Sequence, residues 1–429
     1  MSQPSCRLNI IIVGAGLGGL GAAISLLRSG HSVLLLEAAQ QISEIGAGIQ
    51  CHPNAVRILR HWGLEAALRP YITRPECVNL LSWRGELLSS LPFGDAEQEW
   101  GAPFWDLRRS CLQKVLLQQA EALGARVRCA ARVVGFLEAG GVLLDGGETL
   151  AADLVVGADG IYSKTREALL GRADPPRRTG DLAYRLLLDT QAMMADPDLA
   201  EMVKRPQVNY WLGPQKHAVT YALRGGTQLN IVLLVPDDMP DTTTVTPGNI
   251  DEMRAHYAGW DPRITKLLGF ADSVHKWKLC ISNGGVDSWS NAQATFVLLG
   301  DAVHAALPYL GSGAGMALED AAFLGLVLGK IRNKAEVKTA LKVYERARRN
   351  RTDRIIARGN VQQHLYHLPD GPEQQERDRR VRLHPTPDGE AMAWRDPGFA
   401  PFLLAYDVVA DVEREWEAQA RASVRSSLL

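Results

Sequence analysis

Five glycines crowd into the stretch from Gly14 to Gly21, and the segments flanking them leave the chain few ways to fold. Before them, Asn9 to Val13 is an isoleucine-rich run without alternation, the pattern of a strand buried on both faces of a parallel sheet. After them, Leu17 to Arg28 reads as a helix ending at Gly30, and Ser32 to Glu37 as a second buried strand closing on an acid. The first 37 residues therefore form one β-α-β unit, which commits the chain to a parallel sheet with helices on its faces.

Within this unit Gly14, Gly16 and Gly19 match GxGxxG in the strand-turn-helix setting that gives the pattern meaning. Glycine permits the tight turn and lets backbone N–H groups approach a pyrophosphate at the positive end of the helix. Glu37, about twenty residues on, can accept both hydroxyls of an adenosine ribose. The chain carries no second copy of the fingerprint and no CxxC or CxxxxC pair, so a single tightly held dinucleotide is the simpler reading.

The chain has 429 residues, a size that predicts two or three domains and room to enclose a sizeable ligand. Its 47 basic and 48 acidic side chains nearly cancel, which argues against a nucleic-acid partner. The six cysteines are far apart, with no zinc-ligand spacing, so no metal site is expected and the thiols read as reduced, as in the cytoplasm. Leu8 to Leu27 is uncharged and long enough for a membrane span, but its glycines argue against a membrane helix, so no stable membrane insertion is expected.

Further along, Arg109 to Leu123 has helical spacing, and Asp153 to Gly157 and Thr295 to Leu299 return to the buried parallel type. Between them, from about Gly180 to Trp289, the pattern becomes strand and turn, clearest at Val208 to Leu212, Val219 to Leu223 and Gln228 to Val235. Gly313 to Ile331 and Glu336 to His364 read as long helices, and a polar stretch from Pro369 to Pro397 leads to a last helix near Pro401 to Ala420. The basic cluster Arg346, Arg348, Arg349, Arg351 and Arg354 reads as a solvated helix face. The expected fold is α/β, a Rossmann-like dinucleotide-binding domain interrupted by an antiparallel sheet and followed by C-terminal helices. The segments are 1–179 and 291–365 for the first domain, 180–290 for the insert and 366–429 for the helical extension.

Two further motifs sit at strand ends: Asp159 to Arg166 fits DGxxSxxR, and Gly300 to Pro308 fits GDAxHxxxP. With the first glycine motif, in this order, they resemble the FAD-dependent aromatic hydroxylases of the salicylate and para-hydroxybenzoate hydroxylase group, the group A flavoprotein monooxygenases. Fungal salicylate hydroxylase-like enzymes are especially similar. The resemblance spans nearly the whole chain and includes Glu44 to Gln50, Trp211 to Pro214 and Gly311 to Asp320.

That resemblance implies a para-hydroxybenzoate hydroxylase-like fold with bound FAD. Gly14, Gly16, Gly19 and Glu37 would hold its ADP half, Arg109 the phosphate and ribityl region, and Asp301 the ribityl chain. The segment carrying Gly48 belongs to the resembling region. Gly313, Ala314 and Gly315 open a long helix whose N–H groups can stabilise negative charge on reduced flavin. Asp159 and Arg166 are similar to residues that contact flavin and nicotinamide coenzyme, although a local helix cap and salt bridge suits them equally. His304 reads as a structural hydrogen-bonding group.

In the inserted sheet Arg185 and Tyr221 align with an arginine and a tyrosine that face the substrate in related enzymes, and His217 can accept a proton near neutral pH. A one-residue change of strand facing would turn each of them away. The chain departs from the family pattern twice: an Asp-Arg-x-Pro segment is missing after Lys276 to Leu279, and Ser312 stands where glutamine is common. The implied activity is hydroxylation of a small aromatic or heteroaromatic molecule with NADPH or NADH and O₂, through a flavin C4a-hydroperoxide, by a monomer or homodimer. A flavin-dependent epoxidase or dehydrogenase, or a non-catalytic flavin sensor, remains open at this point.

Overall fold

The computed structural model describes residues 6–42, 47–389 and 391–427. Glu44, Ile45 and Gly46 of the resembling segment lie outside the described residues.

The amino-terminal β-α-β unit forms as read, with strands Asn9–Val13 and Ser32–Leu36 flanking the helix Leu17–Arg28. They sit inside a five-stranded parallel sheet in the order Phe296–Leu298, Leu154–Gly157, Asn9–Val13, Ser32–Leu36, Arg126–Arg128. Ile10 and Ile12 face the main core with the helices Leu17–Arg28 and Gly313–Leu328. Ile11 and Val13 face a second cluster under the small sheet Val133–Phe136, Gly141–Leu144 and Thr149–Ala151. Both faces are covered, so the strand's sequence shows no alternation.

The second sheet has eight strands in the order Val245–Pro247, His275–Ile281, Arg177–Asp189, Gln228–Pro236, Lys216–Leu223, Gln207–Gly213, Cys77–Ser82, Leu87–Pro92. Its last two strands come from before residue 180: Cys77–Ser82 pairs parallel with Gln207–Gly213, Val78 opposite Val208. One face, with Leu182, Tyr184, Leu186, Ile231 and Leu233, packs on helices that supply Leu199, Met202, Met253, Ile264 and Leu267. The alternate residues, among them Arg185, His217, Val219 and Tyr221, look toward the parallel-sheet domain.

Three sequence expectations need correction. The stretch from Pro369 to Pro397 contains a helix, Pro372–Val381, and a buried segment Ala391–Trp394 that packs beside Phe93, Phe104 and Tyr210. Its polar composition hid this because the helix itself buries the charged pair Arg377 and Asp378. The carboxyl-terminal helix is two, Ala400–Leu404 and Val408–Ser427, the second begun by Asp407 accepting from the N–H groups of Val409 and Ala410.

The third correction concerns the arginine cluster on the helix Val337–Tyr366. Arg348 and Arg351 are buried, not solvated, and each reaches a carboxylate of the neighbouring helix Gly313–Leu328. Arg348 Nη2 lies 2.7 Å from Glu319 and its Nε 2.7 Å from Asp320, while Arg351 pairs with both oxygens of Glu319. A charge run on a helix looks the same in sequence whether water or a buried acid answers it.

Among the described residues no helix is long and apolar enough to cross a membrane, and no group of histidines, cysteines and acids could hold a metal ion.

Candidate active site

A cavity of about 320 Å³ lies between the carboxyl ends of the parallel strands and the inner face of the eight-stranded sheet. Open α/β sheets collect ligands at this edge, because the loops leaving the strands are free to differ there. Three such loops line it: Gly16 to Gly18, Ala158 with Gly160, and Leu299 to Asp301. Gly48, Arg109, Gly313 and Ala314 complete the near wall, and Arg185, Tyr210, His217 and Tyr221 the far wall.

The glycines divide by what they are near. Gly14 has φ +102°, and a Cβ there would sit 2.5 Å from the Ala158 carbonyl; a Cβ on Gly19 would be 2.0 Å from Gly14 O. These two serve the protein's own packing. Gly16 and Gly313 line the cavity, and a Cβ on either would meet nothing within 4 Å. Gly16 and Ser312 precede two long helices, Leu17–Arg28 and Gly313–Leu328, that have no side-chain cap and no acid in their first turns. Two bare positive helix ends therefore face one space, a fit for an anionic dinucleotide and an electron-rich ring edge.

Gly14→Ala is accordingly expected to destabilise the flavin-free protein by at least ~2 kcal/mol, from a left-handed backbone and a backbone clash together. Gly16→Ala should leave the flavin-free melting temperature nearly unchanged yet weaken FAD binding at least tenfold. Thermal melts and a flavin-fluorescence titration of both variants check the contrast.

Glu37 ends its strand with its carboxylate accepting the N–H of Ala15, 3.0 Å, and of Ala39, 2.9 Å, which ties it to the glycine turn. Asp159 does not line the cavity. Its carboxylate accepts from Ser163 Oγ at 2.6 Å and from the Thr165 N–H at 3.0 Å, the local cap geometry open in the sequence. Arg166 is buried, paired with Asp174 at 2.8 Å and donating to the carbonyl of Ala302, which leads out of the Asp301 turn. Asp301 lies on the cavity at the first position of a short helix capped by Gly300. Gly315, in the same first turn as Gly313 and Ala314, faces away from the cavity: a Cβ there would lie 3.4 Å from Asn54 Nδ2, against the neighbouring helix Pro53–His61.

His304 turns away, its Nε2 2.5 Å from Asp320. Burial would lower its pKa, but Asp320 outweighs that and raises it; Asp320 itself is lowered because His304 and Arg348 outweigh its own burial. The His304 contribution to stability is present below its unfolded pKa and lost as pH rises through the raised folded value. The Asp320 contribution is present above its unfolded pKa and lost as pH falls through the lowered one. The pair therefore stabilises fully between about pH 4 and 6.5. Melting temperature is expected to fall on the alkaline side, and His304→Gln to flatten that decline in a series of melts against pH.

On the far wall, strand register decides which side chains reach the cavity. Arg185 lies opposite Val232, Val232 opposite Val219 and Val219 opposite Tyr210, one row across four strands. Arg185, Tyr221 and His217 therefore share the inner face, and their sequence neighbours Tyr184 and Ala218 pack behind. Among the described residues Arg185 Nε has no hydrogen-bond partner, and the guanidinium lies 5.6 Å from the Trp277 ring. Burial lowers the Arg185 pKa, Tyr221 offsets part of this and Arg109 adds to it. Burial, then Asp106, raises the Tyr221 pKa against the pull of Arg185, so its hydroxyl stays a donor. Burial and His367 hold His217 well below the ordinary imidazole range, so its ring is neutral at pH 7.

Gly48 joins the two walls. Its N–H donates to Asn230 Oδ1 at 2.7 Å, and a Cβ there would lie 2.5 Å from the Tyr221 ring. Ser312 is buried and its hydroxyl donates to the Leu310 carbonyl. Sequence reading missed Asn230, Tyr210 and Tyr309. Tyr210 was accessible through parity, since it alternates with Val208 and Leu212 on a strand the sequence did predict.

Residues 7–359 match the family model of the FAD binding domain. The chain is 38% identical over 412 residues to the FAD-dependent monooxygenase OpS4 of Beauveria bassiana (strain ARSEF 2860), covering 94% of this chain and 96% of that one. This chain belongs to the FAD-dependent aromatic hydroxylases. The monooxygenase is also 32% identical over 373 residues to a 3-hydroxybenzoate 6-hydroxylase of Polaromonas naphthalenivorans (strain CJ2), with 86% and 90% covered. A salicylate hydroxylase solved with its substrate shares the fold, with a TM-score of 0.79 at 24% identity over 95% of this chain and 98% of the other. The enzyme is thus an oxidoreductase with FAD as its cofactor, as the glycine turn and the strand-end motifs imply.

Proposed function

We propose that this enzyme hydroxylates a small phenol bound as its anion, using NADPH or NADH and O₂. The observation that carries the reading is Arg185, a partly buried side chain whose Nε is buried and lacks a hydrogen-bond partner among the described residues, on the cavity wall beside Tyr221 and His217. Burying a cation without a counter-ion is costly, and an anionic ligand removes the cost. The named activity of the 3-hydroxybenzoate 6-hydroxylase relative supports a phenolic acid as the substrate class.

In this reading Gly16 and Glu37, in a turn kept tight by Gly14 and Gly19, would hold the adenosine end of FAD, with Arg109 and Asp301 along its phosphates and ribityl chain; Asp159 would act only through the cap it forms on the helix that follows. Gly48, Gly313 and Ala314 would frame the ring, and Gly315 would let the helix behind them pack closely on Asn54. When bound, FAD supplies the hydride acceptance and the oxygen activation. The chain's own residues do the rest. Arg185 orients the anion, Tyr221 donates a hydrogen bond to its oxygen, and neutral His217 accepts the phenol proton. Val219, Val232 and Leu234 exclude water from the reacting face. The segments 1–179 with 291–365 act as the FAD-binding body, 180–290 with the strands Cys77–Ser82 and Leu87–Pro92 as the substrate sheet, and 366–429 as a helical extension that packs behind Tyr210 through Trp394.

The test is turnover of the FAD-loaded enzyme on 3-hydroxybenzoate, salicylate and 3-amino-4-hydroxybenzoate under ¹⁸O₂. One labelled oxygen in a ring-hydroxylated product is expected. Coenzyme oxidation that yields only peroxide with all three, or a product oxidised without label, would overturn the reading in favour of a dehydrogenase.

A further inference from the structure

His217 does not stand alone behind the cavity. Its Nδ1 lies 2.7 Å from Nε2 of His367, which follows the long helix Val337–Tyr366 as its C-cap. His367 Nδ1 is in turn 3.9 Å from Asp181 Oδ2, too long for a hydrogen bond but within reach of the carboxylate's charge. Asp181 is fixed from two sides, by the Tyr309 hydroxyl and by Gln363 Nε2 at 2.6 Å. His367 is fixed through its backbone, since its carbonyl accepts the Gln215 N–H from the turn before His217. Solvent access rises from His217, 1% exposed, to the His367 side chain, 12% exposed, while Asp181 beyond it is again buried.

We infer that His217, His367 and Asp181 form a proton-accepting row in which His367 and Asp181 set the tautomer of His217 and take up the proton it receives. The inference rests on the phenol reading above and adds two positioning residues to it. A carboxylate beside His367 Nδ1 favours the proton on that nitrogen, so Nε2 is the acceptor. Nε2 then requires Nδ1–H on His217, which leaves the lone pair on His217 Nε2 for the cavity the ring lines. Each ring thus passes the orientation on, as the aspartate does in a catalytic triad.

The proton balance follows. The phenol O–H bond breaks as an N–H bond forms at His217 Nε2, and the Nδ1 proton of His217 moves to His367 Nε2. The positive charge comes to rest on His367, between Asp181 and the carbonyl end of a thirty-residue helix. The other groups facing the pair are the rings of Tyr210, Tyr309 and Tyr366, with centroids 6.4, 5.1 and 5.4 Å from His217. The Tyr257 hydroxyl donates to the His217 carbonyl, Lys216 reaches away to the His256 carbonyl, and Arg185 lies on the same sheet face. Burial lowers His367 while Asp181 raises it, so both rings are neutral before substrate arrives.

Two measurements on the FAD-loaded enzyme test this. With ¹⁵N-histidine labelling, and His217 assigned through His217→Gln, His217 is expected as the Nδ1–H tautomer in the wild type and as a mixture or the opposite tautomer in Asp181→Asn. An Nε2–H tautomer in the wild type, or no change in Asp181→Asn, overturns the inference. In the second, bound 4-nitrophenol is titrated by its phenolate absorbance. His367→Gln, which keeps bulk and a hydrogen-bonding group but takes no proton, should lower the phenolate-to-phenol ratio about tenfold at fixed pH, one unit in the apparent midpoint. An unchanged ratio with FAD and phenol still bound overturns the proton uptake. Failure of 4-nitrophenol to bind the wild type counts against the phenol reading itself, and the tautomer measurement then decides the inference alone.

Discussion

Replacing Arg185 by methionine is expected to lower kcat/KM toward the best phenol of the panel by about two to three orders of magnitude and to raise the melting temperature of the ligand-free enzyme. The first effect follows from the loss of a charge-assisted hydrogen bond inside a partly dry cavity, where truncating one partner of an ion pair costs roughly 2–5 kcal/mol. The second follows from the state of the side chain before substrate binds. Arg185 sits on a wall with Val219, Val232 and Leu234, with no partner for its Nε among the described residues and with Arg109 adding a second positive charge to its surroundings. Methionine fills similar volume without a charge to desolvate, so ~1 kcal/mol of stability should be regained. Opposite signs for activity and stability mark a residue kept for its ligand. FAD should remain bound, because Arg185 stands on the sheet opposite the glycine turn. Turnover near the wild-type level, or a colourless preparation, would remove Arg185 from the substrate pocket.

The parts of this molecule that could be read from sequence are those where local pattern and tertiary role coincide. A strand covered on both faces must be apolar throughout, so Asn9–Val13 and Leu154–Gly157 announced themselves, and the turns at their ends carried the motifs. Those motifs brought Gly16, Gly48, Arg109, Asp301, Gly313 and Ala314 to the near wall of the cavity, whereas Gly14, Gly19, Asp159 and Gly315, from the same motifs, turn to the protein's own packing. The far wall depended on facing, and nothing local distinguishes Arg185 from Tyr184 as the inward residue; only pairing with Gln228–Pro236 and His275–Ile281 does. The hairpin Cys77–Ser82 with Leu87–Pro92 was missed, and its place in the second sheet could not be read locally, because Cys77–Ser82 joins that sheet through Gln207–Gly213, about 130 residues on. The same distance problem hid His367, which meets His217 across 150 positions. For the arginines of the long helix the signal was present but mute: Glu319 and Asp320 close the Gly311 to Asp320 motif, yet spacing alone could not say that Arg348 and Arg351 lie over them.

That buried cluster gives the largest stability effect expected in the chain. Arg348→Met should destabilise the enzyme by about 3–5 kcal/mol, the usual cost of stripping one partner from a buried ion network. Arg348 is fully buried and answers two carboxylates at once, so its removal leaves Glu319 to Arg351 and Asn54, and Asp320 to His304 and the Gly300 N–H. Two negative charges then share one arginine and one histidine. Because Arg348 lowers both the Asp320 and the His304 pKa, the variant should carry a higher Asp320 pKa and begin to lose stability at a higher pH on the acid side than the wild type does. Urea unfolding at several pH values, with an unchanged slope against denaturant, would show both effects. The cluster also touches the cofactor site, since Asp320 holds the Gly300 N–H at 2.9 Å, one residue before Asp301. Saturating FAD binds only the folded chain and should therefore recover part of the lost stability, by an amount that grows with FAD concentration. A loss under about 1 kcal/mol would mean that Arg348 is compensated by water reaching the carboxylates, and that the helices Gly313–Leu328 and Val337–Tyr366 are held by their apolar contacts alone.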